Sequence, residues 1–135
     1  MGVVRATWAA RPHLEKAGGG AVLNISSISG VGPSANIAYG AVKAAVIQLT
    51  QSHAMTLANQ KIRVNCIAPG GVSTPILYGG LGANKEAVDQ ALLMAQPLPR
   101  AGQPEDIAAT ASFLLSEEAG FVSGQVIYVA GGPRD

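Results

Sequence analysis

At 135 residues the chain is sized for a single domain with a real core. Hydrophobic residues make up 48% and charged residues 13%, which excludes a disordered chain. A net charge of +1 gives no basic field for nucleic acid, and no apolar run reaches membrane-spanning length.

Residues 3–16, VVRATWAARPHLEK, read as a helix stopped by the glycines at 18–20, with Pro12 predicting a kink or a late break. AVLNIS, 21–26, is a short strand bounded by glycines, and SISGVGPSAN, 27–36, is turn-forming. A long helix follows over about 38–58, where Ala38, Val42, Ala45, Val46, Leu49 and Met55 recur near helical spacing. RVNCIA, 63–68, is a second strand, halted by Pro69-Gly70-Gly71. The next stretch, with glycines at 79, 80 and 82, reads as mobile, with a short helix near 84–95. QPLPRAGQP, 96–104, is a proline-marked loop. Pro104-Glu105-Asp106 then opens a helix whose apolar face is Ile107, Ala111, Leu114 and Leu115. QVIYVA, 125–130, is the last strand. Strands alternating with helices imply an α/β fold, with about three parallel strands and helices on both faces. So thin a sheet leaves an edge without a neighbour, and the chain by itself is expected to be marginally stable and prone to associate.

Cys66 is the single cysteine, so no internal disulfide forms. That favours a reducing, cytoplasmic setting, with Cys66 as a buried strand residue. His13 and His53 do not stand at metal-ligand spacing. Trp8 reads as helix packing rather than a substrate platform. Between Glu15 and Glu86 there is no acidic residue. Buried elements account for that gap, and a neutral-to-positive cleft tolerant of an anionic ligand is compatible with it.

Tyr39 and Lys43, in AYGAVKAA, fall on one face of the long helix. A phenol is a poor base near neutral pH, and a neighbouring ammonium favours its ionised form. Such a tyrosine can exchange a proton with a carbonyl or alcohol oxygen. Alone, Y-x-x-x-K is equally a surface pair. Its context adds a serine, Ser26 or Ser27, delivered by NISS to the carboxyl end of the first strand, the edge where open α/β sheets bind ligands. PGGVST ends the next strand at the same edge, where its backbone and Thr74 suit a flat polar ligand.

VLNISSISG, YGAVK, IRVNCIAPGGVSTP, GQPEDIAATASFLLS and FVSGQVIYVAGG, in this order and spacing, resemble the C-terminal half of a classical short-chain dehydrogenase/reductase. The resemblance covers nearly the whole chain and implies part of a Rossmann-like doubly wound sheet. It also implies NAD(P)-dependent interconversion of an alcohol and a ketone. The matching catalytic positions are Ser27, Tyr39 and Lys43. Ser27 is preferred to Ser26 because it lies three residues before Gly30, although it stands somewhat closer to Tyr39 than the family spacing. By the same resemblance Tyr39 is the general acid/base and Ser27 orients the substrate oxygen. Lys43 supports the phenolate and binds the nicotinamide ribose. Pro69, Gly70, Val72 and Thr74 line the nicotinamide.

Residues 75–100 match the family's substrate lid, where Ile76, Leu77, Leu92, Leu93 and Met94 suggest a hydrophobic substrate. The family's helices matching 3–16 and 38–58 pair across a two-fold axis, so a homodimer or homotetramer is expected, with Val42 and Leu49 as contributors. The family's pyrophosphate-binding half, which also chooses between NAD and NADP, finds no match in these residues. Gly30-Val31-Gly32-Pro33-Ser34-Ala35 fits G-x-G-x-x-A, but no acid follows about twenty residues later. Met1 thus reads as an internal methionine used as a start, or as the edge of a truncation. Ala130 stands where the family usually has an aspartate. The rival reading is a catalytically inactive remnant acting only through association. Acyl transfer by Ser27 and Lys43 is disfavoured because no G-x-S-x-G frames the serine.

Overall fold

The computed structural model describes residues 2–133. Helix α1 (Gly2–Lys16) leads to strand β1 (Gly20–Ile25), a 3-10 turn (Ile28–Gly30) and helix α2 (Ile37–Leu57). Strand β2 (Ile62–Pro69) is followed by helices α3 (Pro75–Leu81), α4 (Lys85–Ala95) and α5 (Pro104–Leu115), then strand β3 (Val126–Val129). The strands form one parallel sheet in the order β1-β2-β3, with Ile25 opposite Ile67 and Pro69 opposite Val129.

β2 is central, and its run of apolar residues is buried on both faces, as a parallel strand covered by helices requires. On one face Ile62 and Val64 pack with Leu57 and Ala54 of α2, joined by Leu14 of α1 and Val22 of β1. On the other lies α5. Arg63 reaches across from β2, donating to the carbonyls of Leu114 at 2.8 Å, Ser116 at 2.9 Å and Val122 at 3.4 Å. It thereby satisfies carbonyls that the end of a helix leaves open. Asn65 holds the chain entering β3, its side chain donating to Val122 O at 2.8 Å and accepting from Gln125 N at 3.0 Å.

The expected helices and strands are present, with ends shifted by about a residue, and Cys66 is buried as expected. In local detail the structure departs from these readings. α1 runs through Pro12 to Lys16 without a break. The glycine-rich stretch read as mobile is helical over Pro75–Leu81, with Pro75, whose φ suits a helix start, at its first position. The buried face of α2 carries Val46, Thr50, His53 and Leu57, whereas Val42 and Met55 point outward. Polar Thr50 fits there because it accepts from Asn24 Nδ2 at 2.9 Å and donates to Val46 O at 2.8 Å. On α5 only Leu114 of the nominated face is fully buried, and Leu115 is exposed.

Trp8 packs edge-on against His53, with ring centroids 6.0 Å apart, and Arg11 lies over the indole at 5.3 Å. This joins α1 to α2.

Candidate active site

Ser26 and Ser27 leave the carboxyl end of β1 in different directions. Ser26 is buried, and its hydroxyl donates to the Lys43 carbonyl at 2.7 Å, which pins the strand end to α2. Ser27 caps the 3-10 turn, its Oγ accepting from Ser29 N at 3.2 Å. The hydroxyl proton of Ser27 is not committed by that bond.

Gly30 closes the turn against α2. A Cβ there would stand 2.6 Å from the Lys43 carbonyl carbon and 2.7 Å from Ala44 N, so only glycine permits this approach. Asn36 starts α2 as its N-cap, accepting from Tyr39 N at 3.0 Å. Tyr39 therefore sits in the first turn of α2, with its side chain 45% exposed. Among the described residues its hydroxyl has no hydrogen-bond partner.

One turn on, the Lys43 ammonium donates to the Ile25 carbonyl at 3.1 Å and lies 5.6 Å from the centroid of the Tyr39 ring. One of its three donors is used in that bond, and two remain. Ser27, Tyr39 and Lys43 thus gather at the carboxyl end of β1, with the lysine tied to the last residue of the strand.

The Pro69–Thr74 turn leaves the neighbouring strand at the same edge. It is fixed mainly by backbone contacts. Gly70 N donates to Val129 O at 2.9 Å, and a Cβ on Gly70 would meet the Ala130 Cα at 2.8 Å. Val72 bridges to Gly102, and Ser73 N donates to Gly102 O at 2.8 Å. Thr74 Oγ1 donates to Val72 O at 3.2 Å. A cavity of about 90 Å³ lies behind Val72, bounded by Leu98, Ile107 and Ala130. A larger cleft of about 830 Å³ opens at the amino ends of β1 and β2, beside Gly19 and Lys61, away from these side chains.

Three supporting features escaped the sequence reading. Asn36 lies in the stretch that reads as turn-forming, although an Asn directly before a helical run is also a cap signal. Gly102 meets the Val72 turn from a distant loop, and no local pattern announces it. Tyr78 of α3 bonds Ser73 at 2.6 Å, hidden by the reading of that stretch as irregular. Among the described residues no cluster of His, Cys, Asp or Glu suits a metal ion, and no helix is long and apolar enough to cross a membrane.

A family model described as enoyl-(acyl carrier protein) reductase matches residues 1–133. A short-chain type dehydrogenase/reductase from Mycobacterium ulcerans superposes with a TM-score of 0.86 at 39% identity, covering 97% of this chain and 47% of that one. The chain belongs to the short-chain dehydrogenase/reductase family.

Among curated members of the family, the cis-4-hydroxycyclohexanecarboxylate dehydrogenase of Sinomonas cyclohexanicum is 44% identical over 121 residues, which is 89% of this chain and 47% of that protein. The 7alpha-hydroxysteroid dehydrogenase of Escherichia coli (strain K12) is 40% identical over 122 residues, 90% of this chain and 47% of that one. A 7 alpha-hydroxysteroid dehydrogenase structure complexed with NADH and 7-oxo glycochenodeoxycholic acid superposes with a TM-score of 0.86 at 37% identity, covering 96% of this chain and 50% of that one. The chain spans about half the length of the curated relatives it matches.

Proposed function

We propose that this short-chain dehydrogenase/reductase chain carries the acid/base half of a nicotinamide-dependent oxidoreductase that interconverts a secondary alcohol and a ketone. The observation that carries this reading is the Lys43 ammonium, bonded to the Ile25 carbonyl and 5.6 Å from the Tyr39 ring, beside an uncommitted Ser27 hydroxyl proton.

The roles follow from the groups. In alcohol oxidation the Tyr39 phenolate takes the hydroxyl proton, and in ketone reduction the Tyr39 hydroxyl returns it to the carbonyl oxygen. Lys43 stands beside the Tyr39 ring and places a positive charge in the site. Ser27 donates its hydroxyl proton to the same substrate oxygen, which orients it and stabilises the negative charge that develops there.

The residues present fit the nicotinamide-ribose part of NAD or NADP. Lys43 has two free donors for ribose hydroxyls, and Pro69, Gly70, Val72 and Thr74 line a turn at the same sheet edge that suits the nicotinamide side. When bound, the nicotinamide supplies or accepts the hydride. The substrate side is formed by residues 75–100, where Ile76 and Met94 are exposed. The hydroxysteroid and hydroxycyclohexane names of the relatives support an alicyclic secondary alcohol. The outward-facing Val42 and Met55 support association of copies through α1 and α2, as part of the same reading.

The test is nicotinamide turnover with a panel of alicyclic alcohols, comparing the parent protein with Tyr39→Phe. Loss of about 100- to 10,000-fold in kcat is expected for removal of the acid/base. Full activity in Tyr39→Phe overturns the reading. If the parent binds a second copy but shows neither nicotinamide binding nor turnover, the associating remnant is the better description.

A further inference from the structure

The Pro69–Thr74 turn is gripped from behind by the loop between α4 and α5. Val72 forms a parallel bridge with Gly102, and Ser73 N donates to Gly102 O at 2.8 Å. A Cβ on Gly102 would stand 2.7 Å from Gly71 O, so the two backbones are in direct contact. The shape of the turn therefore depends on where Gly102 is held.

Gly102 is held from both sides. Arg100 and Asp106 form a two-pronged pair, in which Nη1 donates to Oδ2 and Nη2 to Oδ1, each at 2.7 Å. The same Asp106 Oδ2 accepts from Gln103 N at 2.8 Å, and Asp106 N donates to Gln103 O at 3.0 Å, which fixes the first turn of α5. Arg100 Nη1 also donates to Ala101 O at 3.2 Å, the carbonyl directly before Gly102. On the far side, Gln96 Nε2 donates to the Arg100 carbonyl, and Leu98 N donates to Gly131 O at 2.8 Å. The loop is thus moored to the end of β3 and to the start of α5, with Gly102 between the two members of the ion pair.

Most surface ion pairs contribute little, but two parallel bonds between a guanidinium and a carboxylate are the geometry in which such a pair counts. The Arg100 bonds first, and the Gln103 amide second, lower the Asp106 pKa to about 2, so the carboxylate stays an acceptor throughout the neutral range. The Arg100 side chain is 54% exposed, so replacing it does not open the core. Arg100 and Asp106 also line the cavity behind Val72.

We infer that Arg100 and Asp106 are positioning residues that act through Gly102: their paired side chains latch the 96–103 loop against Val72 and Ser73 and so set the shape of the Pro69–Thr74 turn. The consequence for cofactor binding rests on the dehydrogenase reading, whereas the latch can be tested apart from it.

The experiment is residue-resolved hydrogen exchange by NMR on the full 135-residue chain, comparing the parent with Arg100→Gln, Asp106→Asn and the double variant. Arg100→Gln leaves the Asp106–Gln103 cap in place and removes only the fork. The Ser73 amide should exchange about three- to fivefold faster in each single variant, with β2 amides unchanged. The double variant should be no faster than the faster single, because both changes remove one pair. Ser73 exchange within about 1.5-fold of the parent in both singles overturns the latch, as does equal acceleration of β2 amides, which would mark general loosening. A double effect equal to the product of the singles overturns the pair as a unit. Titration with NADH and with NADPH then tests the positioning role, and Kd should rise about threefold or more in each variant for whichever nucleotide the parent binds. KM for the alcohol should stay within about 1.5-fold of the parent, because the turn is on the cofactor side. Faster Ser73 exchange with nucleotide Kd unmoved overturns the positioning role. A parent that binds neither nucleotide overturns the dehydrogenase reading and the positioning role with it, while Ser73 exchange still decides the latch.

Discussion

Ser27, Tyr39 and Lys43 are held by contacts local to one strand–turn–helix unit. Ser26 bonds the Lys43 carbonyl, Lys43 bonds Ile25, Gly30 abuts Lys43, and Asn36 caps the turn bearing Tyr39. The Pro69–Thr74 turn is instead held from far along the chain, by Ala130 against Gly70, Gly102 against Val72 and Ser73, and Leu92 against Gly71. The Ser27, Tyr39 and Lys43 side is thus a cassette that carries its own supports, while the turn beside it has its shape imposed by later elements. Under the proposed function, damage within the cassette should act at once on the chemistry, whereas damage to the turn should arrive through loops and helices elsewhere.

The difference can be pressed hardest at Gly30. Gly30→Ala places a methyl group against the backbone of Lys43, which cannot swing aside. A loss of about 1–3 kcal/mol in unfolding free energy is expected by chemical denaturation, typical of overpacking. Gly71→Ala is the matching change on the turn. Its clash is with the end of the Leu92 side chain, which can change rotamer, so a smaller loss is expected. Equal losses at the two sites would erase the contrast.

Asn36→Ala removes the cap from the helix that bears Tyr39, and about 1 kcal/mol should be lost in the same denaturation experiment. Asn36→Asp or Asn36→Ser should restore most of it, because each retains a capping oxygen.

The smallest expected effect lies outside both regions. His53 is buried against Trp8, with its Nδ1 unpartnered among the described residues, and burial pushes its pKa below the usual imidazole value. Arg11 lies over the same indole and pairs with Glu15 at 2.8 Å, so charge of both signs stands nearby. The unfolded chain takes up a proton near pH ~6.5, before the folded chain does. Stability is therefore fully present above that pH and falls on acidification below it. Thermal melts across this range should show Tm declining, and His53→Gln should flatten the decline.

The same split explains what could be read from the sequence. The cassette was legible because its signals are short-range: NISS ending a strand, Tyr39 and Lys43 one turn apart, and a glycine three residues after Ser27. The parallel order of the strands followed from alternation of elements. The turn was legible as a sequence, PGGVST, but not in its supports, because Leu92, Gly102 and Ala130 are brought to it only by the tertiary fold. α3 is masked in the sequence by Gly79, Gly80 and Gly82, although a proline stands at its first position. The inward face of α2 is hard to read from sequence because Thr50 and His53 are polar, and only the pairing of Thr50 with Asn24 shows why burial is tolerated.

Arg63 and Asn65 give the final strand an address written elsewhere in the chain. β3 is four residues long and only partly covered, too little to choose its own register. The guanidinium fork on β2 fixes the corner at Leu114, Ser116 and Val122, and the Asn65 amide reads the chain on both sides of Gly124. Sliding β3 by one residue would strand that amide in a buried position, so the middle strand acts as a template that accepts the last one in a single alignment. A lysine at position 63 would offer a point charge in place of the planar fork and could not hold three carbonyls in the same directions.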